Sequence, residues 1–237
     1  MSSATEKPAP LARLGLGRVL PAAATPESDW LLWQLMDSAF PTGGFAHSAG
    51  LEAAWQHAEV RDSEQLLSFI EASLHQLGHA ALPLVTTAHA EPERLAELDQ
   101  LCDAFTSNHV ANRASRLQGR AFLTAAQKIF AIVPAESPCR HFAPVFGASL
   151  GQLHVSRETT GRLFFFSHLR GMLAAAVRLN IAGPMEAQIL QRRMAPLAER
   201  LLAECLPLTT DDLAQTSPLL DIWQGAQDRL YSRLFQS

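Results

Sequence analysis

Leu66, Ile70, Leu74, Leu77, Ala81 and Leu84 recur at spacings of three and four. That period places them on one stripe of an α-helix, and a stripe this long has to be covered by other elements. The step returns at Leu95, Leu98, Leu101, Cys102 and Phe105, and again at Leu190, Met194, Leu197, Leu201, Cys205 and Leu208. No run alternates apolar and polar β-branched residues as a half-buried strand would, and no solenoid-like repeat period is present. With 48% apolar residues, a single Tyr, and abundant Ala, Leu and Gln, composition also favours helices over strands. The expectation is an all-α single domain of about nine or ten helices.

Punctuation divides the chain. Ser28 or Asp29 can cap a first helix carrying Trp30, Leu31, Leu32, Leu35 and Met36, which Pro41 and Gly43-Gly44 must end. A second helix runs through Leu51, Ala54, Trp55 and Ala58, and Asp62 or Ser63 caps the long stripe, which Pro83 should kink or divide. Glu91-Pro92-Glu93 opens the next helix, and a break at Ser107-Asn108 leads into another ending near Phe130. Residues 134–144 read as a loop and residues 146–155 as a short helix. Ser156 caps a long helix closed by Gly183 and Pro184, Pro196 should bend the one after it, and Ser217-Pro218 starts a last helix reaching Leu234. Residues 1–27, rich in Ala and Pro, read as a flexible tail ahead of a domain at 28–237; a transit-like leader is the second reading.

A net charge of -4 and a pI near 6.1 supply no broad positive field, which disfavours nucleic acid as a partner. No apolar run reaches the roughly 18 to 20 residues that span a bilayer, so no membrane is expected. Cys102, Cys139 and Cys205 are odd in number and far apart, which fits a reducing, cytoplasmic compartment better than a disulfide framework.

Several constellations carry chemistry. Between Asp37 and Glu52 the chain gathers Asp37, Ser38, His47, Ser48 and Glu52 around Pro41 and Gly43-Gly44. These could form a nucleophile and base, but triad members come from separate elements and no G-x-S-x-G elbow is present. Capping of helix ends at a sharp corner is the alternative, and favoured, reading. Gly43-Gly44 has no strand before it and no Lys-Ser/Thr after it, so it reads as a tight turn rather than a phosphate loop. His75 and His79 stand at i and i+4, the spacing that lets two imidazoles share a metal. With a third ligand they would make a metal site, and otherwise they are ordinary polar positions beside the stripe, the favoured reading. Arg113, Arg116 and Arg120 line one helical face, either solvated or docking a partner, while Asp99, Asp103, Asp211 and Asp212 concentrate negative charge elsewhere and read as solvated. Residues 227–237 hold Arg229, Tyr231, Arg233, Leu234 and Phe235, an interface composition.

Taken in order, Asp37-Ser38, Pro41, Gly43-Gly44-Phe45, His47-Ser48 and Gly50-Leu51-Glu52 resemble the signature junction of the urease accessory protein F family, UreF. The resemblance continues through Ser115 to Gly119, His141 to Gly147, Ala176 to Leu179 and Tyr231 to Phe235. Ala49 stands where that family commonly has an aromatic, Gln227 where a histidine is frequent, and Gln236 where an arginine is. The resemblance implies an all-helical, non-enzymatic scaffold that dimerises and holds no stable cofactor, nickel being the cargo of the complex. It further implies a bridge between UreD (also called UreH) and the nickel-carrying GTPase UreG, coupling GTP hydrolysis to delivery of nickel to the urease apoprotein. On this reading the last helix docks UreD, and Arg113, Arg116 and Arg120 face UreG or the dimer partner; the alternative is a metallochaperone that itself holds nickel through His75, His79 and a third ligand such as His47 or His141.

Overall fold

The structure, a computed structural model, describes residues 28–237; the flexible tail expected at 1–27 lies outside them. Among the described residues the elements are helical throughout: α1 (Asp29–Met36), α2 (Leu51–Gln56), α3 (Ser63–Ala80), α4 (Leu82–Ala90), α5 (Leu95–Phe105), α6 (His109–Phe130), α7 (Phe142–Gln152), α8 (Arg157–Arg178), α9 (Pro184–Cys205) and α10 (Pro218–Ala226). None of these helices is long and apolar enough to cross a membrane.

Side-chain caps set several boundaries. Asp62 Oδ1 accepts from Glu64 N and Gln65 N at 3.0 and 2.9 Å, Asn108 Oδ1 from Val110 N and Ala111 N at 3.0 and 3.1 Å, and Ser156 Oγ from Thr159 N at 3.1 Å. Each satisfies N–H groups that a helix start leaves orphaned. Pro83 divides the long stripe rather than kinking it: Ala81 leaves helical geometry at φ -122°, and Pro83 falls in the first turn of α4, where its missing N–H costs nothing. The same logic corrects one expectation. Phe142 to Pro144 do not belong to the loop but open α7, with Pro144 in the tolerated first turn. Pro196 lies within an unbroken α9.

Helices α4 and α7 form the centre, with α3, α5, α6 and α8 around them. Every residue from Ala143 to Leu150 is buried. The two backbones nearly touch, because a Cβ on Gly147 would lie 2.0 Å from Val85 O. Phe122, Phe142, Phe146 and Phe164 fill the space beside this contact with ring centroids 5.2 to 5.9 Å apart, in tilted, edge-on and stacked arrangements. Helix α10 packs on α2 and α6. That contact brings the end of the chain back over the Asp37–Glu52 junction.

Candidate functional site

The junction is a compact corner. Asp37 Oδ1 accepts from Ala39 N at 2.8 Å, Gly43 takes φ +71°, and a single 3-10 turn follows at Gly44–Ala46. Gly50, at φ +87°, starts α2; a Cβ there would come within 2.9 Å of Gln224 N. A positive φ and a close backbone together leave room for glycine alone. Ser38, Phe45 and His47 line a cavity of about 300 Å³ between the junction, α6 and α8. Leu51 and Glu52 are buried, as is Ser48, whose Oγ accepts from Glu52 N at 3.4 Å. His47 turns the other way, its Nδ1 2.5 Å from Ser237 Oγ. The junction therefore does not pair Ser48 with His47.

Over this corner lies the chain's final segment. The last helix was expected to reach Leu234; it ends at Ala226, a 3-10 turn follows at Gln227–Arg229, and residues 230–237 run irregularly. The cause is Glu52. Its Oε1 accepts from Leu234 N at 2.6 Å and its Oε2 from Phe235 N at 3.1 Å and Gln227 Nε2 at 2.6 Å. A continued helix would have spent those backbone N–H groups internally, whereas a buried carboxylate left without donors is far more costly. Gln236 N donates to Ala46 O at 2.8 Å and Ser48 N to Ser237 O at 2.6 Å. Phe235 is buried, with the Arg178 guanidinium 4.3 Å above its ring. This strap holds its backbone inward and turns Tyr231 and half of Leu234 out to solvent.

The arginines expected on one face of α6 divide between two neighbours. Arg113 forks onto Asp228 at 2.8 and 3.0 Å, and Arg233 joins the same carboxylate at 3.0 Å. These hydrogen bonds, Arg113's above all, hold the Asp228 carboxyl below its ordinary value. Arg116 instead reaches Asp103 at 3.9 Å, and Arg120 is exposed. Arg229 is exposed in the turn after α10. Leu117, Arg113, Arg233 and Leu234 share a groove of about 450 Å³ between α6 and the strap.

His75 and His79 lie on one helix, but His79 Nδ1 is engaged by His75 O at 3.0 Å, and the nearest further donor is Cys205 Sγ at 3.8 Å. Among the described residues the group of three or more metal-ligating side chains that converges is a different one, Asp103, Cys139 and His141. It sits on a loop organised by Asp99. That carboxylate is fully buried and accepts from Ser137 Oγ at 2.9 Å and from the backbone N–H of Cys139, Arg140 and His141 at 2.7, 2.8 and 2.7 Å. Sequence reasoning had placed Asp99 among solvated acids. The signal was available, since Leu95, Leu98, Asp99 and Cys102 follow the buried spacing of i, i+3, i+4 and i+7. Glu52 likewise follows Leu51 into the core, and nothing local announced that its partners lie 182 and 183 residues away.

The sequence model of the UreF family matches residues 60–195. A protein of Oryza sativa subsp. indica named "Urease accessory protein F" is 39% identical over 227 residues, covering 90% of this chain and 87% of the rice protein. The chain belongs to the UreF family. Its similarity to the Arabidopsis thaliana "Urease accessory protein F" is 41% identity over 221 residues, 88% of this chain and 92% of the relative. A Schizosaccharomyces pombe protein, "Uncharacterized urease accessory protein UreF-like", is 30% identical over 224 residues, 86% and 94% of the two chains. Membership of UreF, a family of urease accessory proteins by name, ties the chain to urease maturation. The junction and strap described above are thus features of a UreF-family chain.

Proposed function

We propose that this protein is a non-enzymatic scaffold that bridges UreD (UreH) and the GTPase UreG while nickel passes to the urease apoprotein, acting as a homodimer in the cytoplasm. The observation that carries this reading is the strap: a segment whose backbone is pinned by Glu52 while Tyr231 and Leu234 face outward beside Arg113 and Arg233. A preordered backbone lowers the entropy lost on docking, and outward aromatic, aliphatic and guanidinium groups are the side chains that carry binding energy at protein interfaces. Phe235, buried beneath Arg178, supports the strap rather than offering contact area. Helix α6, tied to the strap at Arg113 and to Asp103 at Arg116, is the element through which one docked partner would be felt at a second surface, and the GTPase UreG is assigned there.

Replacing Tyr231 with Ala, or Leu234 with Asp, tests the strap directly. Co-purification with UreD should fall at least about tenfold, a loss of roughly 1.4 kcal/mol, with helical circular dichroism unchanged; full retention of UreD by both variants refutes the docking role. Deleting residues 228–237 is the poorer test, because it strips two backbone donors from buried Glu52. Reversing Arg116 to Glu should weaken either UreG binding or dimerisation, read by pull-down and light scattering.

A further inference from the structure

We propose that Asp103, Cys139 and His141 form a binding site for one borderline transition-metal dication of the nickel, zinc and cobalt class. The site stands whether or not the bridging role does, because it uses neither the strap nor the junction. One donor comes from the last turn of α5 and two from the loop ahead of α7, and an oxygen, a sulfur and a nitrogen lie within 4.8 Å of one another. Metal bonds of about 2.0 to 2.3 Å put tetrahedral ligand atoms roughly 3.3 to 3.8 Å apart. His141 Nε2 and Asp103 Oδ1, now 3.0 Å apart, need only spread slightly while the thiol closes in. A thiolate, an imidazole and a single carboxylate suit borderline dications, whereas Mg2+ and Ca2+ require more oxygen.

The loop is built before any ion arrives. Asp99 holds the backbone N–H groups of Cys139, Arg140 and His141, so both loop ligands leave a fixed backbone. Gly119 of α6 lets that loop approach, since a Cβ there would stand 2.0 Å from Arg140 O. The His141 ring is fully enclosed, with Nδ1 3.1 Å from Ser115 Oγ, which also accepts from Phe142 N at 3.2 Å. Ser115 thereby does for His141 what outer hydrogen-bond partners do for metal-bound histidines: it fixes the ring and directs Nε2 at the site.

The proton balance is simple. Without an ion, Nε2–H donates to Asp103 and Nδ1 accepts from the Ser115 hydroxyl. When an ion takes the Nε2 lone pair, the imidazole proton moves to Nδ1 and is donated to Ser115 Oγ, and the Cys139 thiol gives its proton to water as the sulfur–metal bond forms. Arg116, 3.9 Å from Asp103 and with 42% of its side chain exposed, swings to solvent, while Asn112 keeps its 2.9 Å bond to Asp103 Oδ1. Cys139 and Asp103 are only partly covered, so the fourth coordination position opens outward to water or to a donor from another protein.

The test uses the full, metal-free, reduced chain. One equivalent of Co2+ should produce thiolate-to-cobalt charge-transfer absorption in the near ultraviolet, and equilibrium dialysis should find one Ni2+ or Zn2+ bound. Cys139→Ser should abolish the band and weaken binding at least about tenfold. Asp103→Asn should weaken binding while keeping the band, and His75→Ala with His79→Ala should change neither. Circular dichroism checks that each variant is folded. No saturable binding of any of the three ions, a bound ion with no thiolate band, or a band that survives Cys139→Ser and points to Cys102 or Cys205 would each overturn the proposal.

Discussion

Two buried carboxylates, Asp99 and Glu52, each hold a stretch of chain that is not helical. Asp99 takes four donors from residues 137–141, a loop continued by α6 on one side and α7 on the other. Glu52 takes three, two of them backbone N–H groups of the strap, which hangs from α10 at one end. The chemistry is the same and the attachment differs. Opening the Asp99 loop drags α6 and the central α7 with it, whereas opening the strap disturbs little beyond its own residues. A carboxylate within a doubly tethered loop therefore contributes to the stability of the whole domain, and one beneath a singly tethered segment governs a local equilibrium, the kind from which binding surfaces are drawn.

The sharpest way to break that comparison is Asp99→Asn. With the –NH2 at the Oδ2 position it opposes the N–H groups of Cys139 and Arg140, and at the Oδ1 position that of His141, so either turn leaves at least one buried backbone donor unmatched. Global stability should drop by roughly 3 to 5 kcal/mol, the cost of disrupting a buried charged network, seen as a large fall in thermal midpoint. A variant as stable as the parent would mean that the loop is not held in this way.

Glu52→Gln comes next. The expected loss is about 2 kcal/mol, confined to the strap. Amides of Leu234, Phe235 and Gln236 should exchange with solvent roughly 30-fold faster, while those of α4 keep their protection. If α4 exchanges faster by the same factor, the strap is part of the global unit and the contrast with Asp99 fails.

These two carboxylates also mark where sequence stops being legible. The all-α architecture could be read, because the apolar step of three and four is local and Asp62, Asn108 and Ser156 cap helices within a few residues of themselves. The position of Asp99 within its stripe was readable by the same rule. The ending of the last helix was not: α10 through Leu234 carries a plausible helical pattern, and what overrides it is a carboxylate far away along the chain. The arginine face of α6 was correctly spaced, yet spacing says nothing of which acids would meet it. Asp228 and Asp103 come from different parts of the chain. The junction advertised itself through its glycines and polar residues, and its second layer, the strap, did not.

Removing Arg178 sharpens the comparison at smaller scale. Its guanidinium stands over Phe235 and donates to Phe45 O at 2.5 Å, joining strap to junction. Arg178→Ala should release about 1 kcal/mol of strap stability. Strap amides would then exchange about fivefold faster and the Asp99 loop would be unaffected. Arg178→Lys should restore only part of this, because an ammonium lacks the planar fork.

Acidity should produce the smallest shift, and its sign follows from His47. Burial, then the nearby positive charge of Arg113, holds this imidazole below its ordinary value while the strap is docked; released, it returns to that value. A depressed folded-state pKa means that the open form binds the proton more readily. His47's contribution is therefore fully present above the ordinary imidazole value of about 6.5 and is lost as pH falls through the lower, docked one. His168, beside Ser73 at 2.7 Å and pushed down to about 4 by burial, weakens the helical body in the same direction. The readout must therefore be local: exchange at Ser48, Phe235 and Gln236, corrected for intrinsic rates and referenced to α4, on going from pH 7 to pH 5. Strap protection should fall a few-fold relative to α4, and His47→Gln should flatten that difference. A pH response that survives His47→Gln assigns it to another group and removes His47 from control of the strap.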